Sequence, residues 1–241
     1  MNKDAPEMPD SVVVLAYNFP HRKTQDFLFR LFAEGIRVEH VLAADPVKLN
    51  VPPSSIRSKL RHGALIDPAK VAKAIGANYH VVPHQGDRIN ALLDEIRPTI
   101  GVISGARILK RPVIDRFSTG IINFHPGLIP EVRGLDALFW AICKDMPLGV
   151  TSHLIDHRVD AGCVLERREI PLAMEDTIFD LSERLYETQV EMLVTAIGRA
   201  RAGQWEQINY DSTVYNRKMP AELEAGIAEL LPAYLERRAN D

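Results

Sequence analysis

Cysteine is scarce in this chain of 241 residues: Cys143 and Cys163 are the only two, and they lack the spacing of metal ligands. That argues against a disulfide scaffold and for a reduced, cytoplasmic protein that needs no metal. No apolar run is long enough to span a bilayer, and the polar, acidic stretch from Met1 to Asp10 has no apolar core suited to a secretion signal. That stretch is expected to fray. A formal net charge of -3 and a pI near 6.3 supply no global positive field, so neither nucleic acid nor membrane is an expected partner. Internal repeats and low-complexity segments are missing too. With 46% hydrophobic residues the chain can bury a sizeable core, enough for one large α/β domain or one domain with an appended tail.

Strands and helices alternate along the first half. Ser11 to Leu15 is a short β-branched run that reads as a buried parallel strand. The following stretch, Ala16 to Lys23, has no glycine where a phosphate cradle would need it. Its His21, Arg22 and Lys23 fit either an anionic ligand near a helix N-terminus or a solvated basic turn. A helix over Thr24 to Glu34 and a strand over Val38 to Ala43 follow. Asp45 to Ile66, rich in proline and serine, has no clean period and reads as a long connection that could serve as a lid. Asp67-Pro68 supplies an N-cap and a first-turn proline for a helix ending near Gly76. Tyr79 to Val82 is a strand, Asp87 to Ile96 a helix, Thr99 to Ser104 a strand, and Arg111-Pro112 opens a short helix. Later come a helical segment from Ala137 to Cys143, a strand from Leu148 to Ile155, its partner from Cys163 to Ile170, and a long helix capped by Asp176. The turn between those two strands is too short for a crossover helix, so they should pair antiparallel. The expected fold is α/β: a Rossmann-like, mostly parallel sheet with helices on both faces and an antiparallel strand at one side.

The stretch with most chemistry is Asn123 to Gly134, Asn-Phe-His-Pro-Gly-Leu-Ile-Pro-Glu-Val-Arg-Gly. It follows the apolar Gly120-Ile121-Ile122, so Asn123 and His125 are expected to emerge where a buried strand leaves the sheet. Two apart on a strand, they project from one face. An imidazole that handles protons, beside an amide that stabilises a tetrahedral oxygen, suits attack of an amine on a carbonyl. Asp160 could orient the imidazole or hold a water. Spacing alone does not bring Asp160 beside His125, and a turn former is an equally ordinary reading of it.

Ile-Asn-Phe-His-Pro-Gly-Leu-Ile-Pro with Arg133-Gly134, then Gly149-Val150-Thr151-Ser152-His153 and Val159-Asp160-Ala161-Gly162, resembles the 10-formyltetrahydrofolate-dependent formyltransferase family over about Ile100 to Gly203. The resemblance implies catalytic roles for Asn123, His125 and Asp160. It also implies a pterin site for 10-formyltetrahydrofolate as co-substrate, made of Arg107, Ile108 and Leu109 with Asp156, His157 and Val159. Gly127 departs from the family's frequent serine, and the turn after the first strand does not match the glycine-rich loop of purine-pathway members. A C-terminal barrel like that of methionyl-tRNA enzymes and the extra N-terminal domain of hydrolases are not expected here. Arg133-Gly134 with Trp140-Ala141, and the tail segment Tyr215 to Pro220, are similar to sugar N-formyltransferases. On that resemblance His21, Arg22, Lys23, Arg133, Tyr215 and Arg217 are expected to contact a nucleotide-linked amino sugar, although Trp140 also suits a core position and the Tyr215 cluster a solvated face. Alternatives are another small amine (ornithine-like or a purine precursor), a formyltetrahydrofolate hydrolase, or a noncatalytic folate or nucleotide-sugar binding module. The expected division is a catalytic domain over residues 1–203 and a tail over 204–241, with a homodimer left open.

Overall fold

The computed structural model describes residues 12–48, 50, 52–60, 64–106, 108–158, 160–210 and 215–239. They form an α/β fold that divides into two compact units, residues 1–46 with 65–121, and residues 47–64 with 122–241.

The first unit is built from β1 (Val12–Tyr17), α1 (Arg22–Ala33), β2 (Val38–Ala44), α2 (Pro68–Ala74), β3 (Asn78–Val81), α3 (Asp87–Ile96), β4 (Ile100–Ile103) and α4 (Arg111–Ile114). β1 pairs parallel with both β2 and β4, and β2 pairs parallel with β3. Val12 to Ala16 are wholly buried, as a central parallel strand covered on both faces requires. The apolar stripe of α1, Phe27, Leu28 and Leu31, is equally buried. Asp67 accepts from the Ala69 amide at 2.9 Å with Pro68 behind it, which sets where α2 begins.

β5 (Gly120–His125) carries the chain into the second unit, which continues with β6 (Arg133–Gly134), α5 (Ala137–Cys143), β7 (Gly149–Ile155), β8 (Gly162–Glu169), α6 (Ile178–Arg201), β9 (Glu206–Gln207), β10 (Tyr215–Asn216), α7 (Ala221–Ala225) and α8 (Ile227–Arg238). Here β5, β7, β8 and β9 are joined by antiparallel pairing throughout. β5 does not stop at Ile122; it runs on to His125, because Asn123 to His125 keep their ladder with β7. The N-cap of α6 is Thr177 and not Asp176. Thr177 and Asp180 exchange both hydrogen bonds of a capping box, at 3.3 and 2.9 Å, while Asp176 accepts from the Ala173 amide and pairs with Arg184.

The connection after β2 has neither helix nor strand among its described residues, and 47–64 belong to the second unit. Its anchor is Glu224 on α7, only 3% exposed, which accepts from the Ser54 hydroxyl, from the Ser55 amide at 2.8 Å and from Lys218 Nζ at 2.9 Å. Lys218 also reaches Asp136 at 3.0 Å, and Asp136 accepts from the Met219 amide at 2.8 Å. Burial opposes the charge of Glu224, but the hydrogen bonds from Ser54, Lys218 and Ser55 outweigh it and hold its pKa down to about 2.

Glu224→Ala should therefore cost on the order of 1–2 kcal/mol in denaturant unfolding at pH 7, since it removes the shared acceptor of Ser54, Ser55 and Lys218 while Lys218 keeps Asp136. A depressed carboxylate pKa stabilises above its unfolded value near 4.5, and that contribution drains away as pH falls towards 2. The gap between wild type and variant should close over that window; a gap independent of pH would refute the assignment.

Candidate active site

Antiparallel pairing of β5 with β7 sets Asn123 opposite His153 and His125 opposite Thr151. Period-two geometry then puts all four side chains on one face of the ladder. The apolar neighbours Ile122 and Phe124, alternating with them along β5, are buried. Thr151 and His153 lie in the sequence at the same two-residue spacing as Asn123 and His125, a signal from which sequence reasoning drew no role.

His153 is fully buried, and burial pushes its pKa down to about 4 despite the upward pull of Asp160. The ring is thus neutral near pH 7, and its tautomer follows from its partners. A carbonyl can only accept, so Nδ1 carries the hydrogen and donates it to Ala161 O at 3.1 Å. Nε2 is then a bare lone pair, and it accepts from Asn123 Nδ2 at 3.3 Å. One amide hydrogen of Asn123 is used in this way, which orients the second for another acceptor.

The same reasoning gives His125 the opposite tautomer. Its Nε2 stands 2.7 Å from Val132 O, so Nε2 carries the hydrogen, and Nδ1 is the nitrogen left to exchange protons. Asp160 Oδ1 lies 3.6 Å from that Nδ1, too far for a hydrogen bond. The other oxygen of Asp160 accepts from the Gly134 amide at 3.0 Å. Two glycines make this closeness feasible. A Cβ on Gly127 would fall 2.5 Å from Val132 O and 2.8 Å from His125 Nε2, and one on Gly162 would fall 1.9 Å from Leu154 O. Asp160 itself sits at a φ of 45°, a left-handed conformation that aspartate adopts more readily than most residues.

The remaining expected site residues are distributed as follows. In the first unit, His21 Nδ1 bonds Thr24 Oγ1 at 3.1 Å, Arg22 pairs with Asp26 at 3.5 Å, and the Lys23 ammonium lies over the Phe27 ring with its pKa pushed down to about 8 by burial. These three are tied into the start of α1 beside a Tyr17 and Phe19 ring stack that sequence reasoning did not foresee. Ile108 is 66% exposed, with its carbonyl accepting from Gln85 Nε2. Leu109 is buried at 4% exposure and is a core residue. Arg107 and Val159 lie outside the described residues.

In the second unit, Asp156 accepts from the Arg158 amide at 2.7 Å and pairs with its guanidinium, an Asx turn beside the exposed His157. Burial opposes the Asp156 charge, yet the bonds from Arg158 leave its pKa below the usual range. Arg133 is buried at 6% exposure with its guanidinium 5.0 Å from the Tyr210 ring centre, and Arg158 lies at 5.0 Å from the same ring. Tyr215 and Arg217 have exposed side chains, and the tail is engaged through its backbone: Tyr215–Asn216 pairs parallel with Arg133–Gly134, and Arg217 O accepts from Trp140 Nε1 at 2.8 Å. Trp140 is accordingly half-exposed and not part of the core. The fold thus gathers Asn123, His125, Asp160 and Arg133 in the second unit; His21 to Lys23 and Ile108 belong to the first.

The sequence profile of the Formyl transferase family matches residues 57–197. The methionyl-tRNA formyltransferase of Koribacter versatilis (strain Ellin345) is 32% identical over 173 residues, 69% of this chain and 55% of that protein. The chain spans about half the length of the curated relatives it matches. Among solved structures, phosphoribosylglycinamide formyltransferase from Anaplasma phagocytophilum has a TM-score of 0.61 at 18% identity, covering 88% of this chain and 99% of that one. The formyltransferase PseJ from Anoxybacillus kamchatkensis, solved with UDP-4,6-dideoxy-4-formamido-L-AltNAc and tetrahydrofolate, has a TM-score of 0.53 at 20% identity and covers 86% of each chain. At these identities the structural likenesses show the fold.

His153 gives a test that needs no ligand. Between pH 6.5 and about 4 the unfolded chain binds a proton at this position that the folded chain refuses, so stability falls as pH drops through that window. His153→Gln should remove that part of the slope, up to roughly 3 kcal/mol, in unfolding measured across the same range. An unchanged slope would mean that the ring is not held neutral.

Proposed function

Because the chain belongs to the formyl transferase family, we propose that it moves the formyl group of 10-formyltetrahydrofolate onto a primary amine, that of a nucleotide-linked amino sugar. The observation that carries this reading is the complementary hydrogen inventory of Asn123 and His125 on one face of β5. Asn123 has an oriented N–H to offer a developing oxyanion, and His125 has an Nδ1 that can take a proton beside the Asp160 carboxylate.

In the reaction the amine nitrogen attacks the formyl carbon, and the carbonyl oxygen gains charge against the Asn123 amide. His125 Nδ1 receives the proton the amine loses, with Asp160 stabilising the imidazolium. The proton then passes to folate N10 as the C–N10 bond breaks, leaving a formamide and tetrahydrofolate. Tetrahydrofolate in the PseJ complex supports folate as the carrier, for whose pterin the turn of Asp156 and His157, next to Asp160 in the second unit, offers polar contacts. The UDP-sugar in the same complex supports the acceptor class, for which Arg133, Tyr215 and Arg217 offer cations and an aromatic face. In this reading residues 1–203 form the catalytic domain, 204–241 are its tail, and the protein is cytoplasmic. The identity to methionyl-tRNA formyltransferase favours a second acceptor, methionyl-tRNA.

Absorbance can follow tetrahydrofolate release with no amine, then with nucleoside-diphosphate-linked amino sugars, methionyl-tRNA, glycinamide ribonucleotide and ornithine. Release with one amino-sugar nucleotide is the expected result. Release with methionyl-tRNA alone would move the acceptor to the second reading, release without any amine would make the protein a hydrolase, and no release would leave a binding module. With the productive acceptor, Asn123→Ala and Asp160→Ala should each lower kcat at least about a hundredfold; wild-type turnover in either would sink the mechanism.

A further inference from the structure

The register of the second unit aligns three side chains across three strands. His125 on β5 is opposite Thr151 on β7, and Thr151 is opposite Arg167 on β8. The loop 126–132 folds back over this row. The Thr151 hydroxyl donates to Gly127 O at 2.8 Å and accepts from the Ile129 amide at 3.0 Å. Arg167 Nε donates to Ile129 O at 2.6 Å, so the backbone of Ile129 is held on both sides. Three residues on, Val132 O receives the hydrogen of His125 Nε2. The guanidinium of Arg167 is oriented in turn by Glu206 on β9, at 3.0 Å from Nη1. A cleft of about 430 Å³ lined by Leu128, Glu131, Val132, Met146, Pro147 and Arg167 borders the loop, whose Ile129 and Val132 side chains are buried and whose Val132 amide donates to Leu128 O at 2.7 Å.

We propose that Arg167 is a positioning residue: by holding Ile129 O it keeps Val132 O against His125 Nε2 and thereby assigns proton exchange to Nδ1, the nitrogen that faces Asp160. Its placement of the loop stands on geometry alone, whereas its effect on turnover rests on the formyl-transfer reading above. Released from Arg167, Ile129 O can turn about the amide that Thr151 holds, and a ring without its Nε2 acceptor has no reason to keep a single tautomer. Arginine matters here because it can hold a carbonyl through Nε while a carboxylate engages its other end.

The test is 15N NMR of the histidine side chains in the full-length protein, read beside kinetics. Wild type should show His125 protonated at Nε2 and His153 protonated at Nδ1. In Arg167→Gln, His125 should become a mixture of tautomers while His153 is unchanged, the latter reporting that the β5 and β7 face is intact. With an active acceptor, kcat should fall about tenfold or more at an unchanged KM for the folate, and Arg167→Lys should recover part of it. Arg167→Met, which keeps the apolar stem, serves the same comparison should Arg167→Gln not fold. A wild-type His125 tautomer in whichever of these two variants folds overturns the proposal, whatever the turnover. If the wild-type protein turns over no acceptor, the transferase reading fails by itself, and the tautomer comparison still decides the role of Arg167.

Discussion

The pairing register between β5 and β7 is the constraint from which the site follows. A slip of one residue would turn Asn123 and His125 to the apolar side and bring Ile122 and Phe124 to the polar one. A slip of two would keep the face and lose the pairing of Asn123 with His153, on which the amide's orientation depends. Burial of the alternate residues enforces the first condition, and the hydrogen bonds of Thr151 to Gly127 and Ile129 enforce the second.

Two histidines on one face end in opposite proton states because each meets a different carbonyl with a different nitrogen. Ala161 O takes Nδ1 of His153, and Val132 O takes Nε2 of His125. Such complementary fixing makes one ring an acceptor for an amide and leaves the other with a bare Nδ1 beside a carboxylate, without any change of residue type. The turn Asp156 to Gly162 serves both: it supplies Ala161 O to His153 and Asp160 to His125.

Much of the first unit was legible in the sequence. The β-branched run at β1, the Asp67-Pro68 start of α2 and the span Asp87–Ile96 of α3 are local signals, and local chemistry decides those elements. Asn123 and His125 stood out by their spacing at a strand end, with Asp160 as a candidate partner that the resemblance strengthened, but their juxtaposition depends on pairing between strands that no local pattern reports. The same limit hid β6 and β10, two residues each, which exist only because Arg133–Gly134 meets Tyr215–Asn216 far along the chain. It hid His153 and Arg167, whose meaning comes from their position in the register. The cap of α6 was misread by one residue because Asp176 and Thr177 both suit the role, and the partner Asp180 decided it.

The clasp of Ser54 and Ser55 on Glu224 has a temporal side. Ser54 and Glu224 are 170 residues apart, so closing that loop carries the entropic cost of a long separation. During synthesis the connection after β2 emerges early, while its anchor is made only after α6 and the strands beneath it. The first unit apart from its last portion can condense from neighbouring segments, but the second must wait to incorporate a stretch that left the ribosome long before. Until α7 is made, Ser54 and Ser55 lack the carboxylate that accepts from them.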